Sequence, residues 1–218
     1  MTIWKRLRAP CFAGTLALLT LGAGIASADT FTSTLSTPNS ALSAVTGPYG
    51  EVLVSLTSST MATITFTADS GFLFTDGSSV AANGSFSFTS ATGDCSSCAY
   101  SSGGTGNVDG VGSYNAIVDS GNSGPGGRSS TITLDVTATG STMWSSASQV
   151  LSATGNGSGF DAAAHIFVTS GANTGLTGFA AEPAGTVPEP TAILLLGSSM
   201  IGLGAIVRRR RSTRSAQS

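Results

Sequence analysis

The chain has 218 residues, of which 9% are charged, and its formal net charge is -2. That balance hides a separation of sign. Between Asp29 and Val187 there are ten acidic side chains and one basic one, Arg128, so this part carries a net charge near -9, while the other basic residues lie at the two ends. A basic stripe able to neutralise a phosphate backbone is missing, which excludes nucleic acid as a partner, and the roughly 160 residues of this part suffice for one domain with a core rather than two.

The N-terminus reads as a signal peptide over 1–28. Lys5, Arg6 and Arg8 make a basic start, Phe12 to Gly24 an apolar stretch, and Ala26-Ser27-Ala28 the small-x-small pattern that signal peptidase accepts. Cleavage after Ala28 leaves Asp29 as the new N-terminus. The apolar stretch, interrupted by Gly14, Gly22 and Gly24, is too short to span a membrane comfortably. Cys11 precedes that stretch, whereas a lipoprotein cysteine follows it, so Cys11 leaves with the signal.

From Asp29 onward the periodicity is that of strands. Met61–Thr67 alternates threonine with apolar side chains, and Thr131–Thr137 places Ile132, Leu134 and Val136 on one face. Val52–Leu56, Gly84–Phe88, Tyr114–Val118 and His165–Val168 are shorter candidates bounded by turn formers. No stretch between Asp29 and Val187 has a helical period. The expected class is all-β, an antiparallel β-sandwich of jelly-roll-like form over 29–176. Two glycine-rich stretches, Ala91–Gly112 and Asp119–Ser130, read as long loops where a binding function would lie.

Few residues invite chemistry. Asp94, Asp109 and Asp119 lack the spacing of a calcium loop and read as turn formers, so no metal or cofactor is assigned. Cys95 and Cys98 form a CxxC pair, but no βαβ pattern surrounds them, and in an oxidising compartment they read as a local disulfide. His165, the one histidine, starts an apolar run and reads as a strand residue. Gly155-Asn156-Gly157-Ser158-Gly159 has the letters of a nucleophile elbow but sits in a glycine-rich turn between strands. A two-carboxylate glycosidase needs only two acids at the right separation, which sequence leaves open. The expectation is a protein that is not an enzyme and has no catalytic residues. Trp144 with Tyr49 or Tyr100 suggests either a carbohydrate platform or core packing.

The C-terminal part divides in three. Thr177–Thr186 is a run of small residues suited to a spacer. Val187-Pro188-Glu189-Pro190 follows, its prolines holding Glu189 on extended backbone. Thr191–Val207 is an uncharged stretch of 17 residues, about 25 Å long as a transmembrane helix. Arg208, Arg209, Arg210 and Arg211 hold its end, and the 212–218 tail, in the cytoplasm, so that the domain faces out.

This constellation over Val187 to Arg211 resembles the C-terminal sorting signal of PEP-CTERM proteins of Gram-negative bacteria. The resemblance implies processing near Pro-Glu-Pro by an exosortase-type enzyme, a membrane-embedded cysteine transpeptidase. It also implies transient anchoring in the inner membrane, delivery to the cell surface or extracellular matrix, and association with exopolysaccharide and biofilm. A lipid-anchor signal normally lacks a closing arginine cluster. The expected function is therefore an exported, non-enzymatic surface or matrix protein. The alternative is a carbohydrate- or calcium-binding module permanently anchored by its C-terminal helix.

Overall fold

A computed structural model describes residues 29–121, 127–152 and 159–182. The signal peptide with Ala26 and Ala28, the Val187–Pro190 motif, the 191–207 segment and Arg208 to Arg211 lie outside the described residues. Among the described residues, no helix is long and apolar enough to cross a membrane.

The described residues form twelve strands: β1 (Asp29–Leu35), β2 (Thr37–Pro38), β3 (Gly50–Ser58), β4 (Met61–Ala68), β5 (Phe72–Phe74), β6 (Val80–Ala82), β7 (Phe86–Gly93), β8 (Ser101–Val108), β9 (Gly112–Asp119), β10 (Thr131–Ala138), β11 (Ala162–Val168) and β12 (Thr177–Ala181). They make two antiparallel sheets. The first runs β1-β3-β4-β10-β7, and the second runs β2-β12-β11-β6-β9-β8, with β5 also on β11. Because β7 pairs with β10 and β8 with β9, these four strands form one long hairpin that crosses from the first sheet to the second and back. β4 and β6 line its outer side, pairing with β10 and β9.

Alternation explains the first sheet. Val52, Val54, Ile64, Phe66, Ile132, Leu134 and Val136 point inward and are buried, each burial contributing about 1.5–3 kcal/mol. They meet Val80, Ala82, Ala116, Val118, Ala162, Ala164 and Ile166 of the second sheet. The other face of the first sheet is hydroxyl-rich: Thr32, Leu53, Thr65, Thr133 and Thr92 face one another across its five strands.

The second sheet is buried on both faces, for a reason that lies in its alanines. Ala81, Ala163 and Ala181 sit side by side on β6, β11 and β12, and Val108, Val111 and Tyr114 of the β8–β9 hairpin pack over them. The hairpin tip reaches the opposite edge of the sheet, where Asn39 Nδ2 donates to the Asp109 carbonyl at 3.2 Å. Gly110 turns the tip at φ +72°, and a Cβ there would stand 3.0 Å from Asn39 Cβ. Larger side chains in the alanine row would lift the hairpin off.

Asn83 and Asn115 close the end of the β6–β9 pairing. Asn83 Oδ1 accepts from Asn115 N at 2.9 Å, and its Nδ2 donates to the Ser113 and Phe160 carbonyls, each at 3.2 Å. Asn115 Oδ1 accepts from Gly84 N at 3.2 Å.

Two expectations are corrected. Ala91–Gly112 is not one long loop: it contains the end of β7, all of β8 and the start of β9, leaving Asp94–Tyr100 as the connection. The sequence of β8, SSGGTGNV, has no apolar alternation, and its place comes from pairing to β9, with irregularities around Gly104. Thr177–Thr186 does not begin as a spacer either. Thr177–Ala181 is β12, and the domain continues at least to the buried Glu182. Its small residues are a packing requirement: a Cβ on Gly178 would come within 2.7 Å of Leu42 Cγ.

Candidate functional site

β11 and β12 pair with Ala163 opposite Ala181, and the Glu182 amide donates to the Ala162 carbonyl at 3.1 Å. This register brings Asp161, just before β11, and Glu182, just after β12, to the same end of the sheet. Ser33 of β1, in the other sheet, donates its hydroxyl to Glu182 Oε2. Each of the two carboxyls perturbs the ionisation of the other.

The electrostatics follow from burial without a counter-charge. Glu182 is 3% exposed. Burial pushes its carboxyl up to about 7 against the lowering effect of the Ser33 bond, and the charge of Asp161 acts in the same direction as burial. Burial also raises Asp161. Tyr114, 1% exposed, is raised first by burial and then by the charges of Glu182 and Asp161. Two oxygens of this group, Tyr114 Oη and Asp161 Oδ1, are buried and have no hydrogen-bond partner.

A second grouping lies farther along β11. Arg128 stacks over Phe167 with its guanidinium carbon 3.2 Å from the ring centroid. His165 stacks on Phe179, centroids 4.4 Å apart. Its Nδ1 faces the Asp76 carbonyl, which fixes the proton on Nδ1. His165 is thus a packed strand residue whose bonded ring nitrogen meets backbone, not a carboxylate or a serine. Elsewhere, a cleft of about 300 Å³ between Ala44–Thr46, Ser70–Phe72 and Ser170–Asn173 carries no charged group.

The other residues singled out in the sequence do not converge. Asp94 accepts from Ser130 N at 2.9 Å, Ser130 Oγ at 2.6 Å and Thr131 N at 3.2 Å. Burial alone would raise its pKa, but these bonds hold the carboxyl below its ordinary range. Asp119 Oδ1 accepts from the amides of Gly77 and Gly121, and the Asp109 carbonyl meets Asn39. Among the described residues, no three His, Cys, Asp or Glu side chains gather as a metal site. Cys95 and Cys98 are joined by a disulfide in the β7–β8 connection. Trp144 and Tyr49 are buried in the core and Tyr100 is half-buried with its hydroxyl against Ser129, so they form no exposed carbohydrate platform. Gly155–Ser158, most of the Gly-Asn-Gly-Ser-Gly stretch, lies outside the described residues.

Sequence reading missed Asp161, Glu182 and Tyr114 as a group. A signal was present in the form of acids bounding runs of alanine, Asp161-Ala-Ala-Ala and Ala-Ala-Glu182, because strands of bare alanine imply burial on both faces. The chain matches no protein-family model, no curated protein and no solved structure.

Proposed function

We propose that the protein is an exported, non-enzymatic component of the cell surface or extracellular matrix, delivered by exosortase-type processing of its C-terminal signal and associated with exopolysaccharide. One observation carries this reading. Val187-Pro188-Glu189-Pro190, the uncharged Thr191–Val207 and Arg208 to Arg211 stand in the order that a membrane-embedded transpeptidase requires. The signal peptide and the strongly acidic domain support export. The two-sheet body supports display: its first sheet offers rows of threonine and serine hydroxyls to water or to attached glycans, and its cross-sheet hairpin suits a jelly-roll-like body. The role assigned to the domain is a compact, hydrated module that keeps its form outside the cell.

The test is the intact mass of the protein recovered from its host, beside a strain carrying Pro188→Ala, Glu189→Ala and Pro190→Ala together. A mature chain from Asp29 to near Val187, lost in the variant, is the expected result. Retention of Thr191–Arg211 in both strains would overturn sorting and leave a permanently anchored module. A second reading, cation binding by that module, is favoured by Asp161 and the buried Glu182 at the same end of the sheet.

A further inference from the structure

We propose that the outer face of the first sheet binds ice, and that its partner is the water lattice of a crystal's prism plane. This goes beyond the reading above and is independent of how the C-terminal segment is processed. Strand register sets the side chains of this face in rows that cross the sheet. The central row runs Thr32, Leu53, Thr65, Thr133 and Thr92 over β1, β3, β4, β10 and β7. On one side of it Thr67 stands opposite Thr131, and on the other Thr63 stands opposite Asp135. β1 keeps the same period with Thr30, Thr32 and Thr34. Apart from Leu53, Glu51 and Asp135, every position that the pairing assigns to these three rows is threonine or serine, and all are exposed or half-buried.

Spacing is the first reason for this partner. Neighbouring strands lie about 4.8 Å apart and alternate residues of one strand repeat about every 6.7 Å, both within about a tenth of the two oxygen repeats on the prism plane of ice. The threonines of β4 and β10 therefore form a two-dimensional net close to that of the crystal surface. Strand twist turns neighbours by about 20–25°, so the match is closest over the central β4–β10 pair and relaxes toward β1 and β7.

Rigidity is the second reason. Threonine is stiff about its first side-chain torsion, and several of these hydroxyls are tied across strands. Thr65 Oγ1 lies 3.4 Å from Thr133 Oγ1, while Thr63 and Ser90 donate to the two oxygens of Asp135 at 3.1 and 2.7 Å. The net is thus set before water binds, which spares the entropy of ordering it. Chemistry is the third. Each threonine offers the lattice a hydroxyl and a methyl around which water orders, and Leu53, 38% exposed, adds apolar surface to the central row. No basic side chain stands in these rows, and Asp135 spends its carboxylate on its neighbours. An uncharged partner with a fixed net of donors and acceptors fits such a face, whereas a soluble glycan or a peptide carries no matching repeat in two dimensions.

The experiment uses the full chain in detergent, with detergent alone as the blank. A single ice crystal is held in a small droplet just below its melting point, and its shape and growth are followed on cooling. The expected result is a faceted crystal whose growth halts over a temperature gap that the blank lacks. Thr65→Lys together with Thr133→Lys places two long cations at the centre of the net and should remove the gap. Thr169→Lys, at the exposed turn after β11, should leave it unchanged. A cooperative thermal unfolding transition confirms that each variant is folded. Round discs and no gap with the unaltered chain would overturn the proposal, whether the face then proves to hold crystalline polysaccharide or a second copy of the chain. A gap that the paired lysines leave intact, or that Thr169→Lys removes as fully, would overturn it as well.

Discussion

Replacing Asn83 with alanine tests whether side chains complete the backbone ladder where the pairing of β6 with β9 ends. Asn83 is 1% exposed, and its amide group serves three backbone partners: the Asn115 N–H at 2.9 Å and the carbonyls of Ser113 and Phe160 at 3.2 Å each. Alanine leaves one donor and two acceptors unserved. An unsatisfied buried group costs about 1–3 kcal/mol, the donor toward the upper end and carbonyls less, so the sum is about 3–5 kcal/mol. With a urea m-value of about 2 kcal/mol per molar, the unfolding midpoint should fall by about 2 M. Trp144, one of the two tryptophans of the chain, is buried at 3% exposure and reports the transition by fluorescence. Asn115→Ala should cost less, because Asn115 is half-buried and water can replace its bonds to Gly84. The two variants should also be non-additive, since Asn83 bonds the backbone of Asn115. A loss below about 1 kcal/mol for Asn83→Ala would refute the reasoning, because it would mean that water reaches all three groups.

Three further outcomes follow from the same geometry. Ala163→Leu should destabilise by at least about 1–3 kcal/mol and speed hydrogen exchange of β8 and β9, because Val108, Val111 and Tyr114 lie over that alanine row; unchanged exchange in the hairpin would contradict the packing. Asp94 has a folded pKa below its unfolded value, so its contribution is present above about pH 4 and is lost as pH falls through the folded pKa. The Tm gap between the unaltered protein and Asp94→Asn should therefore close on acidification, and a gap constant from pH 7 to pH 2 would refute that assignment. Changing both Cys95 and Cys98 to serine should cost no more than about 2 kcal/mol, since the bridge closes a very short loop, and denaturant unfolding should still show one cooperative transition.

How much was legible in the sequence depended on whether a strand keeps a wet face. β4 and β10 were readable nearly to their ends because Thr63, Thr65 and Thr133 alternate with Ile64, Phe66, Ile132 and Leu134, one face to water and one to the core. β12 and β8 were not. TGFAA looks like a linker and SSGGTGNV like a loop, and neither has the period of a half-buried strand. Only the curled hairpin reveals that Ala81, Ala163 and Ala181 must be small, and only the register of β11 with β12 brings Asp161 to Glu182, with Ser33 reaching them from the opposite sheet. Local alternation was enough to find β3, β4 and β10 of the sheet with one face in water, but not β1 or the end of β7. β8, β12 and the acid pair had to await tertiary structure, because burial on both faces erases the alternation and the partners come from distant parts of the chain.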